Sequence, residues 1–314
     1  MNRPAPLVPS PAAPAGSASQ NPVSAADSDE HLLGQYIPLL YHYNMLQDAD
    51  RVQAFQAAIN TVVQPGMHVL ELGGGTGILS SFAARRGARV TCVERLPALV
   101  EASRGFLADN GLDDRVTVVH ADAARYVPDS PVDVVVCEML HVALLREKQA
   151  QVIRAFKQNY RSAFDGALPT FIPEVSILMA QPVHQCFDFA GYHAPVPSFH
   201  APVLEREGTA ELAALSAYAN IDYAETIPLD FAVAMRMKAD VAGQINALRF
   251  VTQNVLAVDM QKQQAITWAN QCMVLPLATP ISIDKDQNMV LRFAYGAGGT
   301  VEDLQQTVAV ETLA

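Results

Sequence analysis

Apolar residues recur along this chain in two rhythms, and the change between them divides it. Near the start, Leu33, Tyr36 and Leu40 share one helical face. Val52, Phe55, Ile59 and Val62 then repeat at helical spacing behind Asp48, a residue type that accepts the free N–H groups of a first turn. Two helices are therefore expected ahead of the first strand. From there, uninterrupted apolar runs at 68–72, 89–93, 116–120 and 132–137 alternate with helical patterns at 78–86, 96–109 and 144–160. Strands apolar on both faces and separated by helices predict a parallel sheet covered on both sides.

Beyond about residue 170 the rhythm changes. The segments 175–180, 231–237, 247–258 and 289–295 read as strands without regular helical crossovers, so this half is predicted to be mainly antiparallel β. The Ala-rich stretch 209–219 reads as a helix. Pro169 and Pro173 mark the boundary, because the residue before a proline is pushed out of the helical region. Residues 1–29, rich in Pro, Ala and Ser with no apolar period, read as a disordered tail. The expected organisation is a tail over 1–29, an α/β domain over 30–172 and a β-rich domain over 173–314.

Composition narrows the function. The 314 residues suffice for one large or two ordinary domains, and at 50% hydrophobic and 17% charged they describe a globular protein. A formal net charge of -11 has the wrong sign for gripping a phosphate backbone, which argues against nucleic acid as a partner. No apolar stretch approaches the ~18 residues of a membrane span and the start lacks a signal-peptide layout, so a soluble, cytoplasmic protein is expected. Cys92, Cys137, Cys186 and Cys272 form no Cys-x-x-Cys pair, and His184, Cys186, His193 and His200 lack compact zinc spacing, so no metal site is expected.

The chemistry gathers at the ends of the predicted strands. Glu71-Leu72-Gly73-Gly74-Gly75-Thr76-Gly77 joins the first strand to its helix, where glycines permit a tight turn and close approach of a ligand to the backbone. The dinucleotide fingerprint fails: Gly73-x-Gly75 is followed by Ile78 and Gly75-x-Gly77 by Ser80 where Gly or Ala is required. Glu94 ends the second strand, where a carboxylate can accept ribose hydroxyls, and Asp122-Ala123 follows the third. After the fourth strand, Glu138 and Glu147 stand nine residues apart around an apolar loop containing Met139 and His141. His141 could serve as a base or as a hydrogen-bonded loop residue, and Trp268, the only tryptophan, as a packing residue or a pocket wall.

The Glu-x-Gly-x-Gly-x-Gly spacing resembles motif I of class I S-adenosylmethionine methyltransferases, and the 138–147 segment resembles the double-E loop of protein arginine methyltransferases. Met45-Leu46-Gln47-Asp48-x-Asp50-Arg51 is similar to that family's pre-core signature. Tyr36 falls at the second tyrosine of its YFxxY helix, Leu168-Pro169-Thr170-Phe171-Ile172-Pro173 is similar to its domain join, and Ile266-Thr267-Trp268 sits where it carries Thr-His-Trp.

The resemblance implies a Rossmann-like methyltransferase domain followed by a β-barrel-like acceptor and dimerisation domain, with S-adenosyl-L-methionine as cofactor. It implies cofactor contacts from Met45, Arg51, Glu71, Gly73, Gly75, Gly77, Glu94, Asp122 and Ala123, and catalytic roles for Glu138 and Glu147. Tyr36, Met139, His141 and Trp268 would shape the acceptor pocket. It further implies a homodimer, with the aromatic segment 187–201 (Phe187, Phe189, Tyr192, Phe199) as a dimerisation arm. Leu32-Leu33, Met139, His141 and Thr267 depart from the family's residues, and all touch the acceptor side. The acceptor is thus expected to be a guanidine nitrogen of arginine, or else a nitrogen, hydroxyl or activated carbon of another small metabolite.

Overall fold

The computed structural model describes residues 37–202 and 207–313. Leu33, Tyr36 and the 1–29 segment lie outside the described residues. Two helices, α1 (Leu39–Gln47) and α2 (Ala49–Val62), precede the sheet. Asp48 divides them, its Oδ1 accepting the Arg51 N–H at 3.0 Å and so satisfying one of the free donors of the α2 first turn. One face of α2 buries Phe55, Ala58 and Ile59, and Arg51 is buried on it one turn earlier.

The alternating pattern then builds β1 (His68–Leu72), α3 (Ile78–Arg85), β2 (Arg89–Glu94), α4 (Pro97–Asp109), β3 (Val116–His120), β4 (Val134–Cys137), α5 (Gln149–Ala163) and β5 (Thr170–Ile172). All five strands are parallel, in the order β3-β2-β1-β4-β5. Val69, Leu70, Leu72 and Val134, Val135, Val136 are at most 1% exposed, as a sheet covered on both faces requires. The order reverses between β1 and β4, and the crevice beyond the carboxyl ends at such a switch point is where α/β sheets bind ligands.

Two expected boundaries move. The strand expected from 132 begins at Val134. The helix expected from 144 begins at Gln149, because Ala143, Leu144 and Arg146 have φ of 57°, 54° and 59°, a left-handed conformation that an α-helix does not admit. Val142–Leu144 form one 3-10 turn instead. Once started, α5 buries Ala150, Ile153, Phe156 and Tyr160 along one stripe, which docks it on the sheet.

The remaining chain forms β6 (Val175–Gln185), the hairpin β7 (Asp188–Phe189) and β8 (Tyr192–His193), β9 (Ser198–His200), β10 (Thr209–Glu211), β11 (Ser216–Asp222), β12 (Asp230–Lys238), β13 (Gly243–Asp259), β14 (Gln264–Ala269), β15 (Cys272–Ile283), β16 (Asn288–Gly296), the short helix α6 (Val301–Thr307) and β17 (Ala309–Thr312). Every pairing among these strands is antiparallel. The helix expected at 209–219 does not form: β10 and β11 pair with β6 instead. Alanine's helix preference is under about 1 kcal/mol per residue and yields to that pairing. β13 is the central strand of this half and packs against α2, which joins the two halves.

Within the aromatic segment, Phe187 departs from expectation: it is 4% exposed and packs with Val183, Ala247 and Val274. Phe189 and Tyr192 remain open, at 54% and 74%.

Candidate active site

The glycine loop sits above β1 and is held from β2. Gly73 and Gly74 N–H both donate to the Val93 carbonyl at 2.9 Å. Gly73 and Gly75 have φ of 77° and 53°, and an added Cβ would lie 3.0 Å from Met139 Sδ at the first and 2.9 Å from His42 Nδ1 at the second. Both the left-handed backbone and the close approach exclude a side chain here.

Glu94 is more than a strand end. Its Oε2 accepts the Gly75 N–H at 2.9 Å, and its Oε1 accepts the N–H groups of Arg95 and Leu96 at 2.7 and 2.8 Å. A carboxylate offers about four acceptor directions, so room remains for a further donor such as a ribose hydroxyl. Asp122 accepts the Ala124 N–H at 2.9 Å and keeps its side chain about half exposed, beside buried Ala123.

Glu71 is 3% exposed and accepts both the N–H and the hydroxyl of Ser80. Burial pushes its carboxyl up to about 7 from 4.5, with the Ser80 donors pulling the other way. The folded chain therefore holds this proton more tightly than the unfolded chain, so stability is greatest below the unfolded value and falls as pH rises through the folded one. The gap between 4.5 and about 7 corresponds to about 3 kcal/mol at pH 8. Without cofactor, Glu71→Gln is expected to melt higher than the parent at pH 8, the difference closing toward pH 5. Parallel melting curves across that range would refute it.

The acidic loop follows β4. Glu138 Oε2 accepts Nε–H of Arg51 at 2.8 Å and Nη2–H as well, forming an ion pair whose side chains are 9% and 8% exposed. Arg51 Nη1 also points to the Met45 carbonyl at 3.5 Å. The carboxyl of Glu147 is pushed well above the usual carboxylate range, first by desolvation and then by the charge of Glu138. His141 is lowered to about 4 by burial and the Arg146 charge. Its Nδ1 lies 3.2 Å from the Val142 carbonyl, which can only accept, so Nδ1 carries the proton. Its ring meets Phe199 edge-on at 5.5 Å.

Two cavities meet at this loop. The first, about 290 Å³, holds the glycine loop, Glu71, Glu94, Asp122 and Ala123. The second, about 590 Å³, is lined by His141, Phe199, Thr267 and Trp268. Met45, Arg51, Glu138 and Glu147 line both. The first suits an adenosine-bearing donor, with carboxylates for hydroxyl and amino groups and open glycine backbone for close approach. The second, acidic on one side, suits a cationic acceptor.

The fold thus brings together every described residue that the sequence singled out except Gly77. Gly77 caps α3 at φ 79° and packs near Ser103 and Leu107. Met139 lines the first cavity and not the second, because it lies against Gly73. Trp268 lines the second cavity and also stacks edge-on against Phe55 at 6.0 Å. Tyr36 is outside the described residues. Sequence reasoning missed His42, which overhangs Gly75 in the donor cavity, and Tyr41, which lines the acceptor cavity. The signal for His42 was its place three residues before Met45, one turn away on the same helical face. Among the described residues, no group of three or more His, Cys, Asp or Glu is placed to hold a metal ion, and no helix is long and apolar enough to cross a membrane.

Residues 69–162 match a protein family described as a methyltransferase domain. An uncharacterized protein of Methanothermobacter thermautotrophicus is 29% identical over 269 residues, 85% of this chain and 97% of its own length. The arginine N(omega)-methyltransferase of Streptomyces achromogenes subsp. streptozoticus is 31% identical over 139 residues, 43% of this chain and 38% of its own. Among solved structures, the Trypanosoma brucei PRMT1 enzyme-prozyme heterotetrameric complex with AdoHcy superposes with a TM-score of 0.67 at 17% identity, covering 87% of this chain and 97% of that one. That likeness extends over both halves of the fold.

Proposed function

We infer that this chain is an arginine-methyltransferase-like class I enzyme that uses S-adenosyl-L-methionine, and we propose that its acceptor is a guanidino nitrogen of arginine, free or within a peptide or protein. The observation that carries the acceptor is the placement of Glu138 and Glu147 at the junction of the two cavities. The donor supplies a sulfonium methyl group to the attacking nitrogen and leaves as S-adenosylhomocysteine. The chain's part is to hold the two reactants in line and to manage charge.

Glu94 and Asp122 would hold the donor by its ribose and adenine ends, and Met45 and Arg51, which line both cavities, would border it where the cavities join. On the other side a planar, cationic guanidinium presents forked donors that suit two carboxylates. Glu147 is held toward its neutral form by burial and by Glu138. A cation bound between them supplies the counter-charge that lets it ionise. Glu147 can then draw electron density toward the attacking nitrogen and receive the proton that the methylated guanidine releases.

The test is mass spectrometry of products after incubation with S-adenosyl-L-methionine and a panel of L-arginine, an arginine peptide, and amine and hydroxyl metabolites. A mass gain on a guanidine is expected. Methylation of the amine or hydroxyl compounds alone would move the assignment to a small-metabolite enzyme, a reading that His141 and Thr267 in the acceptor cavity favour. We further propose that the protein is cytoplasmic and forms a homodimer; the open Phe189 and Tyr192 on the 187–201 segment and Leu40 on α1 support the dimer. Sedimentation at micromolar concentration is expected to give a dimer, and a strict monomer would remove that part.

A further inference from the structure

A circuit of buried side chains grips the acidic loop from both halves of the fold. The Met139 N–H donates to Gln149 Oε1 at 2.9 Å, while Gln149 Nε2 donates to the Cys137 carbonyl at 2.7 Å and the Gln149 side chain lies beside the Tyr223 hydroxyl. The Tyr223 hydroxyl lies 2.8 Å from Ser176 Oγ, and Ser176 donates to Asn254 Oδ1 at 2.6 Å. Asn254 Nδ2 donates to Asn270 Oδ1 at 2.9 Å, and Asn270 Nδ2 donates to the Leu140 carbonyl at 2.9 Å.

The proton positions follow from chemistry. The Asn254 carbonyl only accepts, so the one Ser176 hydrogen is committed to it. Tyr223 must then donate to Ser176. Every bond from the Tyr223 hydroxyl to the C=O of Leu140 runs the same way. Chains of uniform polarity strengthen each member in a low-dielectric interior.

Gln149, Ser176, Tyr223 and Asn254 are 0% exposed and Asn270 6%. Holding β6 and β13 together needs no such circuit, because an apolar set would do so without desolvating five polar side chains. What the circuit adds is direction at two peptide groups of the loop, the one joining Glu138 to Met139 and the one joining Leu140 to His141. A separate bond, Ala143 N–H to Thr252 Oγ1 at 2.8 Å, fixes the next part of the loop from the same strand, β13.

We propose that Tyr223 is a positioning residue for methyl transfer, acting through Gln149 on one side and Ser176, Asn254 and Asn270 on the other to hold Glu138 at the junction of the two cavities. This rests on the reading of Glu138 as a catalytic carboxylate. Tyr223 touches neither cavity, so its effect is on geometry and not on substrate contact.

The test compares the parent with Tyr223→Phe, which removes one hydroxyl and keeps the ring, and with Ser176→Ala as a second break in the circuit should the first fail to fold. Amide hydrogen exchange over 137–147 is expected to quicken at least about tenfold with β1 unchanged, as expected for loss of local rather than global protection. S-adenosylhomocysteine affinity should stay within about twofold, while kcat for the acceptor found active in the product panel falls about tenfold or more, the scale for sub-ångström to ångström misplacement of a catalytic group. A purely structural role would lower the melting temperature and leave kcat per folded molecule at the parental value. That result, or unchanged exchange over 137–147, overturns the proposal. Glu138→Gln in the same assay separates the two failures. If it is inactive while Tyr223→Phe turns over normally, only the positioning role falls; if it turns over normally, the reading of Glu138 falls.

Discussion

Glu147→Gln is expected to cut turnover about a hundredfold or more while S-adenosylhomocysteine affinity changes less than about threefold, since the loss is of a charge-assisted contact in a dry site worth several kcal/mol at the transition state. The amide keeps the shape of the side chain but loses its charge, and it presents NH₂ donors to an acceptor that is itself donor-only. Glu147 makes no ion pair among the described residues, so the variant isolates acceptor chemistry from fold. A second signature follows from its raised carboxyl. The activity of the parent should fall as pH drops through that raised value, and the variant should lack this limb. Parental turnover in Glu147→Gln would remove the two-carboxylate clamp and favour a neutral acceptor.

Glu138→Gln is expected to be as inactive but less clean. The structure pairs Glu138 with buried Arg51 in the wall shared by both cavities. Removing one partner of a buried ion pair leaves an uncompensated charge and costs about 3 to 5 kcal/mol. A drop in melting temperature and weaker donor binding should accompany the loss of turnover, and calorimetry beside a thermal melt reads both.

The second large effect is at Glu94. Glu94→Ala is expected to weaken S-adenosylhomocysteine by about 1.5 to 3 kcal/mol, the range for hydrogen bonds to a charged group. The loss should reach further than a missing ribose contact, because the N–H groups of Gly75, Arg95 and Leu96 also lose their acceptor. Of these only the Gly75 bond is buried, and a buried donor left unpaired costs about 1 to 3 kcal/mol, so the unliganded variant should also melt lower. Glu94→Gln, which keeps two of the acceptor directions, should fall between the two. Unaltered affinity in Glu94→Ala would show that the donor is held elsewhere.

The sequence by itself determined the parallel sheet, the glycine loop and the acids at the strand ends, because these depend on local period and on spacing along one βαβ unit. Short apolar runs such as His68–Leu72 and Val134–Cys137, alternating with helical patterns, read as strands buried on both faces, and the residues that follow such strands gather at one edge of the sheet. Even the Asp48 cap was legible, since its partner lies three residues away.

Tertiary structure decided what depends on partners far along the chain. The 209–219 segment became strand because β6 offered an edge to pair with. Residues 144–148 left the helix because the backbone around them is held from a distance, Ala143 by Thr252 and Arg146 by the Gly299 carbonyl. The Arg51–Glu138 pair joins residues 87 apart, and the Tyr223 circuit gathers side chains from α5, β6, β13 and two loops. An asparagine inside an apolar strand carries no local sign of its hydrogen-bond partner. Only the packed fold, where a buried amide must be satisfied, determines which groups it meets.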